Sequence, residues 1–135
     1  MMNDELEKQA REGKPCIGFS MENAMEAYRH MEDRELIRDY GDTCGKNLLY
    51  TWDAGHRTLV RCKKCGGYIL VQISEFHGME DDMYYADYFP VSGQKEAELL
   101  NQRYDGETIE TEFPGRWLIC EGGPHWSSMK RMVLD

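Results

Sequence analysis

The sequence predicts an α+β fold built on a mainly antiparallel sheet, with an N-terminal helix and one inserted helix. Three observations carry that prediction. Apolar residues recur at helical spacing over the first third, the period falls to two from Leu48 onward, and turn residues then punctuate a series of short apolar runs. At 135 residues the chain is long enough for one domain with a real core. Fifteen aromatics, eight of them Tyr, exclude a disordered chain.

Residues 1–19 read as a mobile lead-in broken by Gly13, Pro15 and Gly18, leaving 20–135 as the folded domain. Ser20 is placed to cap a helix reaching Tyr40, with Gly41 as its stop. Met21, Ala24, Met25, Tyr28 and Met31 share one face of it, and the spacing makes them core rather than an exposed sticky stripe. Leu36, Ile37 and Tyr40 are rotated off that face, which calls for a bend or a second short helix near Glu32–Glu35.

Leu48, Tyr50 and Trp52 alternate with Leu49, Thr51 and Asp53 as a strand, Asp53-Ala54-Gly55 supplies a turn, and Thr58–Val60 returns. Tyr68–Ile73 is almost wholly apolar and should be central in the sheet. Tyr84–Phe89 follows the acidic loop 78–82, and Pro90 ends it. Ser92 opens the inserted helix, whose Ala97, Leu100 and Tyr104 share a face, and Asp105-Gly106 stops it. Thr108–Phe113 and Arg116–Cys120 form a closing hairpin around Pro114-Gly115, over which Trp117, His125 and Trp126 cover the core.

The net charge is −9 and unevenly spread. Residues 75–112 carry 11 acids against 2 bases, whereas 44–65 carries Lys46, Arg57, Arg61, Lys63 and Lys64 against Asp53 alone. Such a chain repels phosphates and attracts basic partners. Met1–Gly13 is charged throughout, and no apolar run approaches the roughly 18 residues of a membrane span, so the expectation is a soluble, cytoplasmic protein without membrane association.

In a reducing compartment an odd set of five cysteines points to metal ligation rather than to a disulfide framework. Cys62-Lys63-Lys64-Cys65-Gly66-Gly67 is the strongest signal. Two Cys flanking a tight turn aim both sulfurs at one tetrahedral ion, and the glycines let backbone N–H groups approach the thiolates. Between two strands this motif is not placed like a thioredoxin redox pair, which sits at a strand-to-helix junction.

The motif resembles the second knuckle of a zinc ribbon over about residues 41–70, with a hairpin before it and 17 residues between Cys44 and Cys62. The resemblance implies a structural zinc on Cys44, Cys62 and Cys65. Gly41 and Asn47 stand where a partner for Cys44 belongs, so the fourth ligand must come from elsewhere. His56 at the hairpin tip is roughly 20 Å from the knuckle at about 3.3 Å per residue, and His77 lies at the far end of the next strand. Cys120, at the end of a strand, is the favoured fourth ligand, with His125, Cys16 or a water as the alternatives. Three unmetallated thiols form the competing reading.

The leading functional expectation is a non-enzymatic, acidic, zinc-binding interaction module of the inhibitor, immunity or adaptor type. Its partner would be a protein with a basic face, met by Glu80, Asp81, Asp82, Asp87, Glu110 and Glu112. A zinc-ribbon nucleic-acid-associated protein is one alternative, although the charge argues against strong binding. A zinc hydrolase with a three-ligand open site is the other. His77 with its acidic neighbours reads as a solvated loop, and Cys16 lacks a paired base that would make it a nucleophile. There is no phosphate loop, nucleophile elbow or His-Glu-x-x-His helix.

Overall fold

A computed structural model describes residues 13–42, 52–77, 82–105 and 108–127. Its elements, in chain order, are a 3-10 turn (Ile17–Ser20), α1 (Ala24–Met31), β1 (Arg34–Asp42), β2 (Trp52–Cys62), β3 (Tyr68–His77), β4 (Asp82–Val91), α2 (Gln94–Arg103), α3 (Thr108–Glu112), β5 (Leu118–Cys120) and β6 (Pro124–Trp126). The six strands form one sheet in the order β1-β2-β3-β4-β5-β6, every neighbouring pair antiparallel. The architecture is α+β, as the sequence predicts. Among the described residues no helix is long and apolar enough to cross a membrane.

The first helix is shorter than expected. Asn23, not Ser20, caps it by accepting from the Glu26 N–H at 3.0 Å, and it ends at Met31. Glu32, Asp33 and Glu35 follow, and carboxylates at a helix C-terminus oppose its dipole. The chain turns instead into β1, where Arg34, Glu35 and Leu36 pair with Cys62, Arg61 and Val60. Leu36, Ile37 and Tyr40 therefore fall off the helical stripe because they belong to a strand. β1 is an edge strand interrupted by two register shifts, a device that discourages further pairing.

Asp53-Ala54-Gly55 is not a turn. β2 runs through it with a register shift between Asp53 and His56, so the glycine accommodates an irregularity within one long strand. The residues expected as its partner strand, 48–51, lie outside the described residues. Pro90 likewise sits inside β4, opposite Ile69, rather than ending it.

The expected strand Thr108–Phe113 is the helix α3. Thr108 N–H donates to Asp105 Oδ1 at 2.8 Å while Asp105 N–H donates to Thr108 Oγ1 at 3.0 Å. This reciprocal pair is a capping box, so Asp105 opens a helix where its neighbour Gly106 had suggested only a stop. Gly93 rather than Ser92 caps α2, and the Ser92 N–H donates to Glu96 Oε1 at 2.7 Å.

The middle of the sheet is buried on both faces, which explains the consecutive apolar residues Ile69, Leu70 and Val71 of β3. Val60, Cys62, Ile69, Val71, Tyr88, Leu118 and Trp126 pack with Cys16, Ala27 and Met31 on the α1 side. Leu59, Leu70, Phe89, Val91, Trp117 and Ile119 pack with Ala97 and Ile109 on the side of α2 and α3. Of the Met-rich stripe, Met31 is buried and Met21 packs against the core, while Met25 is exposed.

A polar row crosses the second face. Arg57, 0% exposed, donates five hydrogen bonds: two to Gln72 Oε1, one to Asn101 Oδ1 and one each to the carbonyls of Tyr104 and Asp105. Burial holds its guanidinium below the ordinary value, at about 10, with Asp105 opposing the shift. Arg57 thus locks the end of α2 and the entry to α3 onto β2 and β3. Arg57→Leu removes all five bonds and should cost on the order of 3 kcal/mol, read as a lower midpoint in urea unfolding with an unchanged slope.

Candidate metal centre

The turn between β2 and β3 begins as a tight loop. Cys62 N–H donates to the Gly67 carbonyl and Gly66 N–H to the Cys62 carbonyl, both at 2.8 Å. Gly66 takes φ +78°, a conformation that residues with a side chain rarely adopt. The loop keeps Cys62 and Cys65 on one side of the knuckle and leaves Lys63 and Lys64 exposed.

Two further segments converge on it. Residues 14–16 run parallel to the start of β3, with Tyr68 N–H donating to the Lys14 carbonyl at 3.0 Å and Cys16 N–H to the Tyr68 carbonyl at 3.1 Å. Thus 15–19, the later part of the expected lead-in, is docked against the domain, while 1–12 lies outside the described residues. The approach is very close: a Cβ on Gly67 would lie 2.5 Å from the Cys16 N and Cα atoms. From the other side, Lys63 N–H donates to the Asp33 carbonyl at 2.8 Å, which fixes the end of α1 over the knuckle and brings His30 down to it.

The result is a cluster of Cys16, His30, Cys62 and Cys65, whose donor atoms all lie within 4.8 Å of one another. Cys16 Sγ and Cys65 Sγ are 3.6 Å apart, and Cys62 Sγ is 3.4 Å from His30 Nε2. A tetrahedral zinc with bonds of about 2.3 Å to sulfur and about 2.05 Å to nitrogen sets those edges at about 3.8 and about 3.6 Å. Two edges of the group thus fit a metal tetrahedron, and the four donors lie close enough together to hold a metal ion.

The surroundings favour thiolate at the most open vertex. Ile17 N–H lies 3.5 Å from Cys65 Sγ, and Gly18 N–H lies 3.4 Å from Cys16 Sγ. Burial raises the Cys65 thiol, but His30, the N–H groups of Ile17 and Gly67 and the Cys16 thiol outweigh it and bring it down from 9.0 to about 6. Burial dominates at Cys16 and pushes that thiol well up, as it does where no metal compensates the charge. Cys16 and Cys62 are each 1% exposed, and Cys65 is the most open of the four donors.

Of the residues singled out in the sequence, Cys62 and Cys65 are in this cluster, and so is Cys16, which entered as an alternative. Cys44 lies outside the described residues. The described end of β1, Asp42, pairs with His56, six residues along β2 from Cys62. Cys120 sits on β5 opposite Ala86 and is not in the four-donor group. Burial and the neighbouring Asp87 push its thiol up to about 12, against the opposing charge of Arg34. His125, on β6 opposite Ile119, is also outside the group. His56 is in β2, with Nε2 2.7 Å from Asp39 Oδ1. His30 was missed: it sits in the last turn of α1, and only a count of every Cys and His upstream of the knuckle would have raised it.

No family model, curated protein or solved structure matches the chain. Its chemistry therefore rests on the site itself.

Gly67→Ala should force the Cys16 segment off the knuckle, because backbone rather than a flexible side chain occupies the space. The expected outcome is loss of most bound metal and a clear fall in thermal midpoint, read by elemental analysis and by calorimetry in parallel. Gly122→Ala, where a Cβ meets nothing within 4 Å but φ is +66°, is a control for backbone strain alone.

Proposed function

We propose that Cys16, His30, Cys62 and Cys65 hold a structural zinc ion, and that the domain so stapled works as a non-enzymatic interaction module. The gathering of four donors within 4.8 Å, two of whose edges fit a metal tetrahedron, carries the first half of this reading. Three thiolates and one imidazole are a donor set that suits zinc, and soft thiolates disfavour magnesium and calcium. Four protein donors fill a tetrahedral shell and leave no position for a reactive water, which supports a structural role over the open-site hydrolase. Lys63 and Lys64, exposed beside the ion, would offset the negative charge of a three-thiolate site.

The second half draws on charge. A net −9 with 11 acids against 2 bases over 75–112 supports a partner with a basic face, of the inhibitor, immunity or adaptor kind. Not every acid named from the sequence is available for that contact. Asp87 is 2% exposed and accepts from Trp117 Nε1, and Glu110 accepts from Tyr85 OH at 2.9 Å. Among the five cations of the nucleic-acid alternative, Arg57 is buried and committed to its own bonds, while Arg61, Lys63 and Lys64 are exposed. Lys46, Glu80 and Asp81 lie outside the described residues.

Protein purified without chelator should carry about one zinc per chain by elemental analysis. His30→Ala and Cys62→Ser should lose it and unfold at a markedly lower temperature, since removing a structural metal is among the large single effects. Cys120→Ser should keep it. Less than about 0.2 equivalent of metal in well-folded wild type would refute the reading. For the partner, replacing Glu80, Asp81 and Asp82 by amides should slow association at low salt and leave the thermal midpoint nearly unchanged.

A further inference from the structure

We infer that the metal centre is also a peroxide-responsive latch, in which Cys65 is oxidised, Cys16 closes a disulfide onto it, and the metal leaves. The inference rests on the zinc reading above and deepens it. Its first support is asymmetry of access: Cys65 is the most open of the three thiols and ends the exposed Lys63-Lys64 turn, whereas Cys16 and Cys62 are each 1% exposed. An oxidant from solvent meets Cys65 first.

The second support is the identity of the nearest thiol. Cys16 Sγ lies 3.6 Å from Cys65 Sγ, so less than 2 Å of travel brings the pair to the roughly 2.05 Å of a disulfide. Cys62 is engaged elsewhere, with its Sγ 3.4 Å from His30 Nε2 and 3.7 Å from the His30 carbonyl. Cys65 is thus flanked by a resolving thiol in the arrangement typical of oxidation-sensitive cysteines.

The chemistry balances with a hydroperoxide as oxidant. The Cys65 thiolate attacks a peroxide oxygen, the O–O bond breaks, and hydroxide departs to be protonated, leaving a sulfenic acid. The Cys16 thiolate then attacks that sulfur; an S–S bond forms, the S–O bond breaks, and a second hydroxide leaves. Two thiols have lost two electrons and two protons, and hydrogen peroxide has become two waters. With two of its four donors consumed, the ion is released.

The effect on the fold is selective. The new disulfide keeps residues 14–16 fastened to the knuckle, as the bridge to Tyr68 already does. It does nothing for His30, so α1 loses the metal that joined it to Cys62. Oxidation would therefore loosen 24–31 while leaving 14–18 in place.

The test treats zinc-loaded full-length protein with hydrogen peroxide in the presence of a chromogenic zinc chelator. Unreduced peptide mapping and amide hydrogen exchange then follow. The expected result is release of about one zinc per chain, a Cys16–Cys65 disulfide, faster exchange confined to 24–31, and reversal by dithiothreitol with added zinc. Zinc that stays bound at peroxide doses that oxidise other thiols overturns the latch and leaves the structural-zinc reading standing. A mapped Cys62–Cys65 disulfide overturns it too, by replacing the proposed partner. Protein isolated without zinc overturns the metal reading itself, and the latch with it. Cys16→His keeps four donor residues and removes the resolving thiol, so peroxide should leave Cys65 as a sulfenic acid that dimedone traps, with no disulfide to the 14–16 segment. If that variant does not fold, the wild-type disulfide map decides alone.

Discussion

The four-donor cluster depends on one close approach, the passage of the Cys16 main chain across Gly67 with no room for a Cβ between them. That contact places the 14–16 segment as a short parallel partner of β3, and the pairing fixes the depth at which Cys16 enters the cluster. The Ile17 and Gly18 amides then fall within reach of sulfur because the chain turns at once into a 3-10 helix whose N-cap is Cys16. Backbone N–H groups thus serve the sulfurs beside the His30 side chain, and they leave no mark in the sequence.

The two faces of the sheet solve the burial problem by different means. On the side of α2 and α3, a long helix and a short one cover apolar residues, and Arg57 satisfies the carbonyls where those helices meet. On the other side an eight-residue helix and a 3-10 turn are the covering elements among the described residues. So short a helix is marginal by itself, and packing must hold it. Trp126 Nε1–H donates to the Glu22 carbonyl and the Arg116 guanidinium stacks on the Trp126 ring, so β6 braces the entry to α1. A metal ligand in its last turn would brace the exit.

Much of this was legible in the sequence, and the failures have physical causes. The α+β class, the central apolar strand, the inserted helix and the knuckle were readable because each has a local signature of period or spacing. The strand at 34–42 was hidden because its apolar residues continue a helical segment without a turn residue between them. α3 was hidden because Thr108-Ile109-Glu110-Thr111-Glu112 alternates like a strand, and its short helix is dictated by the Asp105–Thr108 cap rather than by periodicity. In the site, Cys62 and Cys65 are neighbours in sequence and were found together. Cys16 and His30 are brought in by tertiary contacts from 49 and 32 residues away, and no spacing rule reaches that far. The expectation for Cys120 rests on a closing strand that pairs beside the ribbon, whereas β5 pairs with β4 and is separated from β2 by two strands.

The strand order, in which every neighbour in the sheet is also the next strand in the chain, has a kinetic consequence. Each hairpin can zip onto the last with modest loop-closure entropy, so the sheet is assembled largely from contacts that are near in sequence. The four donors are the exception, since they gather three separate stretches of chain that only a nearly complete sheet brings to one corner. Contacts absent from the folding transition state leave the folding rate alone and act on escape from the native state. An ion bound there would change little about how fast the chain folds and much about how long it stays folded.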